Sequence, residues 1–403
     1  MSTCYAARWV LPIHTSPVAY GWVEIDEGRV RRVGAGAPPV KAEVLGDVAI
    51  LPGLVNAHTH LELSGLAGRV PPAASMVDWI RALIAERGRA ATAGETIDVE
   101  EVRQAARVMH ETGTVLVGDI TNSLASISAI ADAGLDGVIF HELLGFDAAD
   151  PDVIVRDAWS RVDAALEAGR GAADLRPSVV AHAPYSVSPG LFAEIAWAAR
   201  DAPLAVHLGE SVEELELLRT GHGAFRDLLT TLGVWTDEWT VPGCDPVEYL
   251  DRLGYLRPSV LAVHGVHLHD AGLERLRDAG GVLVTCPRSN EWVGAGMPPL
   301  ARFYASGVPV AIGTDSLASV GSLNLFDELA ELRRIGPDVS AASLLDSATR
   351  VGADALGFGA DYGTMSPGRK AALIAVDIPP GTADVEEYLV SGVRPAAVHR
   401  LGA

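Results

Sequence analysis

Residues 49–60, AILPGLVNAHTH, join a short apolar run to two histidines that stand one residue apart. The run is aliphatic and contains Pro52 and Gly53, which is typical of a short strand buried on both faces. Side chains at positions i and i+2 of a strand project to the same side, so His58 and His60 can present two imidazoles to one ion. The alternative is a pair of ordinary polar residues at the point where a strand meets a loop. The rest of the chain has to decide between the two.

Seven more short apolar runs follow, each with a polar residue at or near its end: TVLVGDI, DGVIFHE, SVVAHAPY, PLAVHLGE, SVLAVHG, GVLVTCP and PVAIGTDS. Segments with apolar residues at helical spacing lie between them, such as SMVDWIRALIAERGRA, VEEVRQAARVMHETG and FDELAELRRIG. Eight strand–helix alternations over roughly 300 residues predict an α/β fold, a (β/α)8 TIM-like barrel with its active site at the carboxyl ends of the strands. A doubly wound sheet is the alternative fold.

The two ends of the chain have a different pattern. Residues 1–50 contain YAARWVLPI, AYGWVEID and GRVRRVGAG, and residues 364–403 contain KAALIAVDI and EEYLVSGVRPAAVHRL, all of which favour β structure. We predict a small β-sandwich domain built from residues 1–50 and 364–403 and a barrel domain of residues 51–363. The loop at residues 230–254, with two tryptophans and two prolines, is expected either to form a lid or to pack over the barrel.

The composition excludes several classes of partner. A net charge of −21 opposes binding to a phosphate backbone, and no apolar stretch approaches the roughly 20 residues of a membrane helix. The three cysteines, Cys4, Cys244 and Cys286, lie far apart, and the amino-terminal residues resemble no secretion signal. We therefore expect a cytoplasmic protein that binds neither nucleic acid nor membranes. A homodimer is the default expectation for its assembly.

Two more strand ends supply candidate metal ligands, His207 in AVHLGES and Asp315 in AIGTDS. Three imidazoles and one carboxylate leave a coordination position open, and zinc lowers the pKa of a water bound there to about 7. Glu210 follows His207 by three residues and could reach a substrate, although a solvated charge is the alternative. His264 could stabilise developing charge, although a rim histidine with its hydrogen bonds satisfied is the alternative.

Five motifs, PGLVNAHTHLE, HLGE, LAVHGVHL, CPRSN and GTDS, occur in the order found in the amidohydrolase superfamily, and the chain resembles its metal-dependent aminohydrolases along essentially its whole length. The resemblance implies that His58, His60, His207 and Asp315 bind one divalent metal ion. Zinc is expected, with iron as the alternative. It also implies that Glu210 transfers protons, that His264 assists the hydrolytic water and that Asp315 takes a proton from this water.

Lysine usage distinguishes between two kinds of amidohydrolase site. Members of the family with two bridged metals commonly use a carbamylated lysine from the fourth strand. The only lysines here are Lys41 and Lys370, both outside the predicted barrel. The sequence therefore predicts a mononuclear site.

The substrate is predicted from further resemblances. The HxxE element resembles that of deaminases and implies a small heterocyclic amine as the substrate, without naming its ring. His182 in AHAPYSVSP resembles the substrate-contacting histidine of nucleoside deaminases. The segments SGLAGRVPPAASMVDWIRAL, TNSLAS and FHELLGF look most like proteins that deaminate aminofutalosine (6-amino-6-deoxyfutalosine) in menaquinone biosynthesis. That substrate has a 5′ side ending in an aromatic carboxylate, so we expect an aromatic wall, for which Trp79 is the candidate, and an arginine, either Arg81 or Arg288.

Several alternatives stay open at this stage. Within the fold, the substrate could be S-adenosylhomocysteine, 5′-deoxyadenosine or a free base, or the enzyme could be a chlorohydrolase or amide hydrolase. A metal-stabilised binding protein without turnover is the alternative from another class. Glu62 in HLELS either meets the substrate or braces its loop.

Overall fold

The computed structural model describes residues 2–94 and 96–401. Its strands, in chain order, are β1 (Thr3–Val10), β2 (Val18–Asp26), β3 (Arg29–Ala35), β4 (Glu43–Pro52), β5 (Leu54–Thr59), β6 (Thr114–Thr121), β7 (Asp136–Leu143), β8 (Leu175–Ala181), β9 (Ala205–Leu208), β10 (Leu261–His264), β11 (Val282–Thr285), β12 (Val310–Ile312), β13 (Leu373–Asp377) and β14 (Val398–Leu401). Strands β5 to β12 coincide with the eight apolar runs, so the prediction of eight barrel strands is confirmed.

The barrel consists of two parallel four-stranded sheets, β5-β6-β7-β8 and β9-β10-β11-β12. One seam between them is closed by the His207 amide, which donates to the His182 carbonyl at 2.9 Å. The other is closed by the Thr314 amide, which donates to the His58 carbonyl at 3.0 Å. Every residue of β5, β6 and β9 to β12 is buried, which explains the nearly continuous apolar runs.

The helices cover the outside of the barrel and part of its mouth. They are α1 (Met76–Thr92), α2 (Val99–Glu111), α3 (Ile127–Asp132), α4 (Pro151–Gly169), α5 (Pro189–Ala198), α6 (Val212–Thr220), α7 (Ala224–Thr231), α8 (Pro246–Arg252), α9 (Asp270–Asp278), α10 (Pro287–Trp292), α11 (Leu300–Ala305), α12 (Leu325–Ile335), α13 (Ala341–Asp346), α14 (Gly352–Ala355) and α15 (Val385–Val390). A π-helical turn, Ser347–Val351, and two 3₁₀ turns, Leu61–Leu66 and Pro395–Ala397, complete the set. Within the described part of the chain, no helix has the length and apolar character that crossing a membrane requires.

Two helix starts matter for the site because side chains cap them. The Ser75 hydroxyl accepts from the Asp78 amide at 3.3 Å and begins α1. The Ser211 hydroxyl accepts from the Glu214 amide at 3.3 Å and begins α6 one residue after Glu210. Such caps satisfy amides that lack a partner within the helix and so define where the helix starts.

The two ends of the chain form one six-stranded sheet in the order β14-β13-β4-β1-β2-β3. Its own small core includes Val10, Val23, Ile50 and Leu373. The predicted β-domain from both termini is therefore present as this sheet. The division at 1–50, 51–363 and 364–403 stays a prediction, since β4 runs to Pro52 and only one residue separates it from β5.

The prediction of β structure for residues 386–390, EEYLV, was wrong because this segment belongs to helix α15. Asp384 caps the helix by accepting from the Glu387 amide at 3.0 Å, and Val385 and Leu389, one helical turn apart, are buried. Glu387 also pairs with Arg333 of α12 at 2.7 Å. Tertiary contacts and the cap outweigh the β propensity of a short apolar run.

Candidate metal centre and active-site cavity

The predicted metal ligands come together at the carboxyl ends of the barrel strands. The Nε2 atoms of His60 and His207 lie 3.3 Å apart, and His60 Nε2 lies 3.7 Å from Asp315 Oδ1. The ring centroid of His58 lies 4.9 Å from that of His60 and 5.0 Å from that of His207. One potential ligand atom from each of His58, His60 and Asp315 falls within 4.8 Å of the others, and so it does for His58, His207 and His264. The four predicted ligands, His58, His60, His207 and Asp315, thus lie in one cluster, with His58 common to both groups.

His58 provides a direct test of whether this cluster suits a cation. Its side chain is 1% exposed, and neither ring nitrogen has a hydrogen-bond partner among the residues that the structure describes. A buried polar group without a partner is costly and therefore rare. Burial and the neighbouring imidazoles lower the pKa of His58 well below its usual value, and they lower the pKa of His207 to about 4. Neutral imidazoles with free lone pairs are the form that binds a metal, so the donor set fits a divalent ion.

The ligand side chains are held by their surroundings. His207 Nδ1 lies 2.9 Å from the His182 carbonyl, which leaves its Nε2 facing His60. Asp315 Oδ2 accepts from the Ser289 hydroxyl at 2.6 Å. Burial acts to raise the pKa of Asp315, but His60, His264 and Ser289 outweigh it, and the carboxyl is ionised. Outer contacts of this kind fix the orientation of metal ligands.

His264 and Asp315 both have a backbone conformation that is unusual for residues other than glycine, with φ values of 75° and 61°. Such conformations cost energy and tend to be retained at functional sites. His264 is oriented by Asn290, whose side-chain amide lies 3.0 Å from Nδ1. Its Nε2 lies 3.5 Å from Glu210 Oε1 and has no hydrogen-bond partner in the described chain. This nitrogen is free to contact a ligand.

Glu210 is buried beside the cluster, and its carboxyl accepts no hydrogen bond from the described residues. Burial and the negative charges of Asp315 and Glu214 raise its pKa well above the usual value, which favours the protonated form. The alternative of a solvated charge is wrong. Asp315 and Glu210 are therefore two neighbouring carboxyl groups whose pKa values are shifted in opposite directions, as suits a base beside an acid.

Sequence reasoning missed Glu214, which positions Glu210. The Glu214 carboxyl is fully buried and accepts from the amides of Gly209 and Glu210, each at 3.0 Å. Burial raises its pKa to about 7. Its signal was available in the helical spacing of Glu214, Leu217 and Leu218, which are the buried residues of α6.

Glu62 and Asp119 brace the loops beside the site. The Glu62 carboxyl accepts from the Thr121 hydroxyl at 2.7 Å, from the Asn122 amide at 3.1 Å and from the amide and hydroxyl of Ser123 at 2.9 and 2.5 Å. Asp119 accepts from the Leu61 amide at 2.9 Å. These contacts show that Glu62 braces the segment after β6. Its side chain also borders the cavity.

A cavity of about 490 Å³ opens above the cluster, a size typical of small-molecule sites. His182 lines it, with its ring centroid 4.8 Å from that of His207 and its Nδ1 2.6 Å from the Ser186 hydroxyl. Burial and the nearby His60 and His264 lower the pKa of His182 to about 3. Trp79 of α1 also lines the cavity and is 8% exposed. The walls are otherwise largely apolar.

The segment with the two tryptophans packs over this cavity. Trp235 stacks on Phe146 with ring centroids 5.5 Å apart, and Trp239 lies at the same distance from Phe146. Phe146 itself lines the cavity. In this structure the segment packs over the barrel mouth through these ring contacts.

Neither of the two arginines proposed as carboxylate partners lines the cavity. Arg81 pairs with Asp78 at 3.1 Å. Arg288 pairs with the buried Glu328 at 3.3 Å and donates to the Ser322 carbonyl at 3.2 Å. Lys370 pairs with Asp136, at the amino-terminal end of β7 and thus away from the site.

Residues 49–397 match the sequence model of the amidohydrolase family. The chain belongs to this family. Amidohydrolases are metal-dependent, and the cluster of His58, His60, His207 and Asp315 is the candidate metal site of this one. The family and its mostly parallel α/β barrel, both expected from the sequence, are thereby confirmed.

Two relatives narrow the class of this amidohydrolase, and one solved structure shares its fold. The chain is 29% identical over 380 residues to a 5-methylthioadenosine/S-adenosylhomocysteine deaminase of Nitratidesulfovibrio vulgaris, covering 89% of this chain and 79% of that protein. It is 31% identical over 328 residues to the aminodeoxyfutalosine deaminase of Deinococcus radiodurans, covering 79% and 76%. An adenosine deaminase from Xanthomonas campestris, solved with bound zinc, shares the fold with a TM-score of 0.81 at 24% identity, covering 98% of this chain and 90% of that one.

These similarities define the class of reaction. This amidohydrolase is a hydrolytic enzyme acting on carbon–nitrogen bonds other than peptide bonds, and its relatives support a deaminase of adenine-type nucleosides. The alternative of a binding protein without turnover is thereby set aside.

Proposed function

We propose that this enzyme deaminates aminodeoxyfutalosine, an adenine nucleoside with a 5′ side that ends in an aromatic carboxylate, and that it acts in menaquinone biosynthesis. The observation that carries the proposal is the cavity: it is lined by Glu210, whose pKa is raised, and Asp315, whose pKa is lowered, while most of its other walls are apolar. The similarity to the Deinococcus radiodurans protein supports the same substrate. Deamination of 5-methylthioadenosine or S-adenosylhomocysteine is the second candidate, supported by the broader match to the Nitratidesulfovibrio vulgaris protein.

We further propose that His58, His60, His207 and Asp315 hold one divalent metal ion, and that this ion is zinc. Three imidazoles and a carboxylate are ligands that zinc prefers, and the relative with bound zinc supports the choice. The metal would supply Lewis-acid activation of the hydrolytic water. The absence of lysine from the barrel strands supports a single ion, since no carbamylated lysine can bridge two.

The side chains of the protein account for the movement of protons. Glu210 gives its proton to N1 of the adenine ring, which makes C6 more electrophilic. Asp315 takes one proton from the water whose oxygen bonds to C6, and His264 Nε2 orients this water and stabilises the oxygen that is added. Asp315 then passes its proton to the amino group while Glu210 takes the proton of the C6 hydroxyl. The C6–N bond breaks, ammonia leaves, and the ring becomes a hypoxanthine with both carboxyl groups restored.

Two further residues position the substrate in this proposal. His182 contacts the nucleoside from the strand next to that of His207, and Trp79 forms part of the wall along the 5′ side. Homodimer formation and a cytoplasmic location remain predictions.

The test is a steady-state assay on protein of measured metal content, using the absorbance change from adenine to hypoxanthine. The substrates are aminodeoxyfutalosine, 5-methylthioadenosine, S-adenosylhomocysteine, 5′-deoxyadenosine and adenine. We expect the highest kcat/KM for aminodeoxyfutalosine. A higher value for S-adenosylhomocysteine would favour the second candidate, and metal-loaded protein inactive on the whole panel would refute the proposed function.

A further inference from the structure

One face of helix α1 forms a side of the cavity. Met76, Trp79, Ile80, Leu83 and Arg87 all line it. At about 100° per residue, Arg87 lies only about 20° around the helix from Met76, whereas Arg81 lies about 140° away. The helix therefore presents an apolar stripe to the cavity that ends, about 16 Å further along the axis, in a guanidinium group.

Arg87 is also placed at an edge of the cavity. It lines a neighbouring surface cleft as well, together with Glu62 and Leu63, so it lies where the two spaces meet. Its side chain is exposed, and it forms no hydrogen bond or ion pair within the described chain. Most other arginines of α1 and its surroundings are already paired, for example Arg69 with Glu86 at 2.6 Å. The Arg87 guanidinium is therefore available to bind an anion.

The charges around the cavity are distributed unevenly. Of the described residues that line it, Arg87 is the only arginine or lysine, while Glu62, Glu142, Glu210 and Asp315 are acidic. A substrate with a carboxylate would be repelled by the ionised Asp315 if it entered with this group first. The same substrate gains a charge-assisted hydrogen bond when the carboxylate points towards Arg87.

The space between the two ends suits an aromatic or aliphatic body. Leu83 and Ile84 of α1 and Leu228 and Leu229 of α7 all line the cavity, and these two helices contact each other. A flat apolar group between the walls would lose its water contacts without burying a polar group of the protein.

We propose that the Arg87 guanidinium binds the carboxylate at the far end of the 5′ substituent of the substrate. This assignment rests on the proposed function, since it requires an adenine nucleoside with its base at Glu210. It makes Arg87 a specificity-determining residue, which selects nucleosides with an acidic 5′ side over neutral ones. The acid can be the benzoate of aminodeoxyfutalosine or the amino-acid carboxylate of S-adenosylhomocysteine.

The test compares matched substrates and matched variants. The substrates are aminodeoxyfutalosine, its carboxylate methyl ester, S-adenosylhomocysteine and 5-methylthioadenosine. The variants are Arg87→Met, Arg87→Lys and the control Arg81→Met, which removes a guanidinium from the other face of the same helix. The readout is the ratio of kcat/KM for the acid to that for its ester, with kcat and KM determined separately and Tm measured for each variant.

We expect Arg87→Met to lower this ratio by about tenfold to fiftyfold, mainly through KM, because a hydrogen bond to a charged group is lost at a partly solvated position. Arg87→Lys should retain part of the ratio, and Arg81→Met should retain all of it. S-adenosylhomocysteine distinguishes the two acids, since a loss of preference for it over 5-methylthioadenosine in Arg87→Met would assign the subsite to the amino-acid carboxylate.

An acid-to-ester ratio and an S-adenosylhomocysteine preference that both stay unchanged in Arg87→Met, or that fall equally in Arg81→Met, would overturn the inference while leaving the deaminase function intact. Metal-loaded wild-type enzyme without activity on any of the four nucleosides would overturn the proposed function itself, and the inference with it. The two failures are therefore distinguishable.

Discussion

Replacing Glu210 by Gln removes a proton donor and changes little else in the structure. The carboxyl accepts no hydrogen bond from the described residues, and its raised pKa favours the neutral form, so a neutral amide of the same size fits the same space. We expect the free energy of unfolding to change by less than about 0.5 kcal/mol. We expect kcat to fall by about 10²- to 10⁴-fold, which corresponds to roughly 3–5 kcal/mol in the activation barrier, because the amide cannot transfer a proton to the ring nitrogen.

Glu214→Gln is the matched control, since Glu214 lies four residues after Glu210, in helix α6. Its carboxyl accepts from two backbone amides at 3.0 Å each, and an amide side chain can accept from only one of them while its NH₂ group faces the other. One buried amide then loses its partner, at a cost of about 1–3 kcal/mol in the free energy of unfolding. The two substitutions are chemically identical but should affect different quantities. Glu210→Gln should lower kcat at normal stability, and Glu214→Gln should lower the free energy of unfolding with a smaller loss in kcat.

The assay combines steady-state kinetics, metal analysis and denaturant unfolding on both variants. The pH profile adds a further check: kcat/KM of the wild type should fall as the pH rises through the raised pKa of Glu210, since the acid form is consumed, and Glu210→Gln should lack this decline. Near-normal turnover in metal-loaded Glu210→Gln would refute the role of this residue. A stable Glu214→Gln as inactive as Glu210→Gln would refute the division of roles between them.

Three other changes probe the site. His58→Ala should lose bound metal and activity together, because the two buried ring nitrogens of His58 have no other partner in the described chain. Metal analysis of the purified variant checks this, and full metal content would contradict the ligand set. Glu62→Gln should lower the free energy of unfolding by about 1–3 kcal/mol, since the amide of Asn122 or the donors of Thr121 and Ser123 lose their acceptor. Urea unfolding that stays unchanged would argue against this bracing role of Glu62. Arg288→Met should lower the free energy of unfolding by about 1–2 kcal/mol, because the contacts of Arg288 with Glu328 and Ser322 are lost. The preference between acidic and neutral nucleosides should stay the same. A changed preference in kinetic assays would indicate that Arg288 contacts the substrate.

The local patterns of the sequence predicted most of the barrel. Each of the eight strands is a short apolar run bounded by turn residues, and a strand buried on both faces needs this composition whatever its neighbours are. The histidines at positions 58, 60, 207 and 264 follow from the same logic, because all parallel strands end at one rim and their last residues must therefore meet. The histidines of the candidate site were predictable for this reason.

Other features depend on contacts between distant parts of the chain, which no local pattern reveals. Residues 386–390 have β propensity but form a helix because of the Asp384 cap and the packing against α12 and α13. The pKa values of Glu210 and Asp315 are shifted in opposite directions by burial and by the charges around each carboxyl, so burial and neighbouring charges favour the acid form of one and the base form of the other.

The arginines show most clearly which features the sequence determined and which the tertiary structure decided. The sequence by itself determined that a barrel of this family carries a cluster of three histidines and an aspartate, and it offered Arg81 and Arg288 as partners for a carboxylate. Only the tertiary structure decided which guanidinium faces the cavity, because this depends on how α1 is rotated against the barrel and on which acids already occupy each arginine. Arg81 pairs with Asp78 and Arg288 with Glu328, whereas Arg87 faces the cavity without a partner in the described residues.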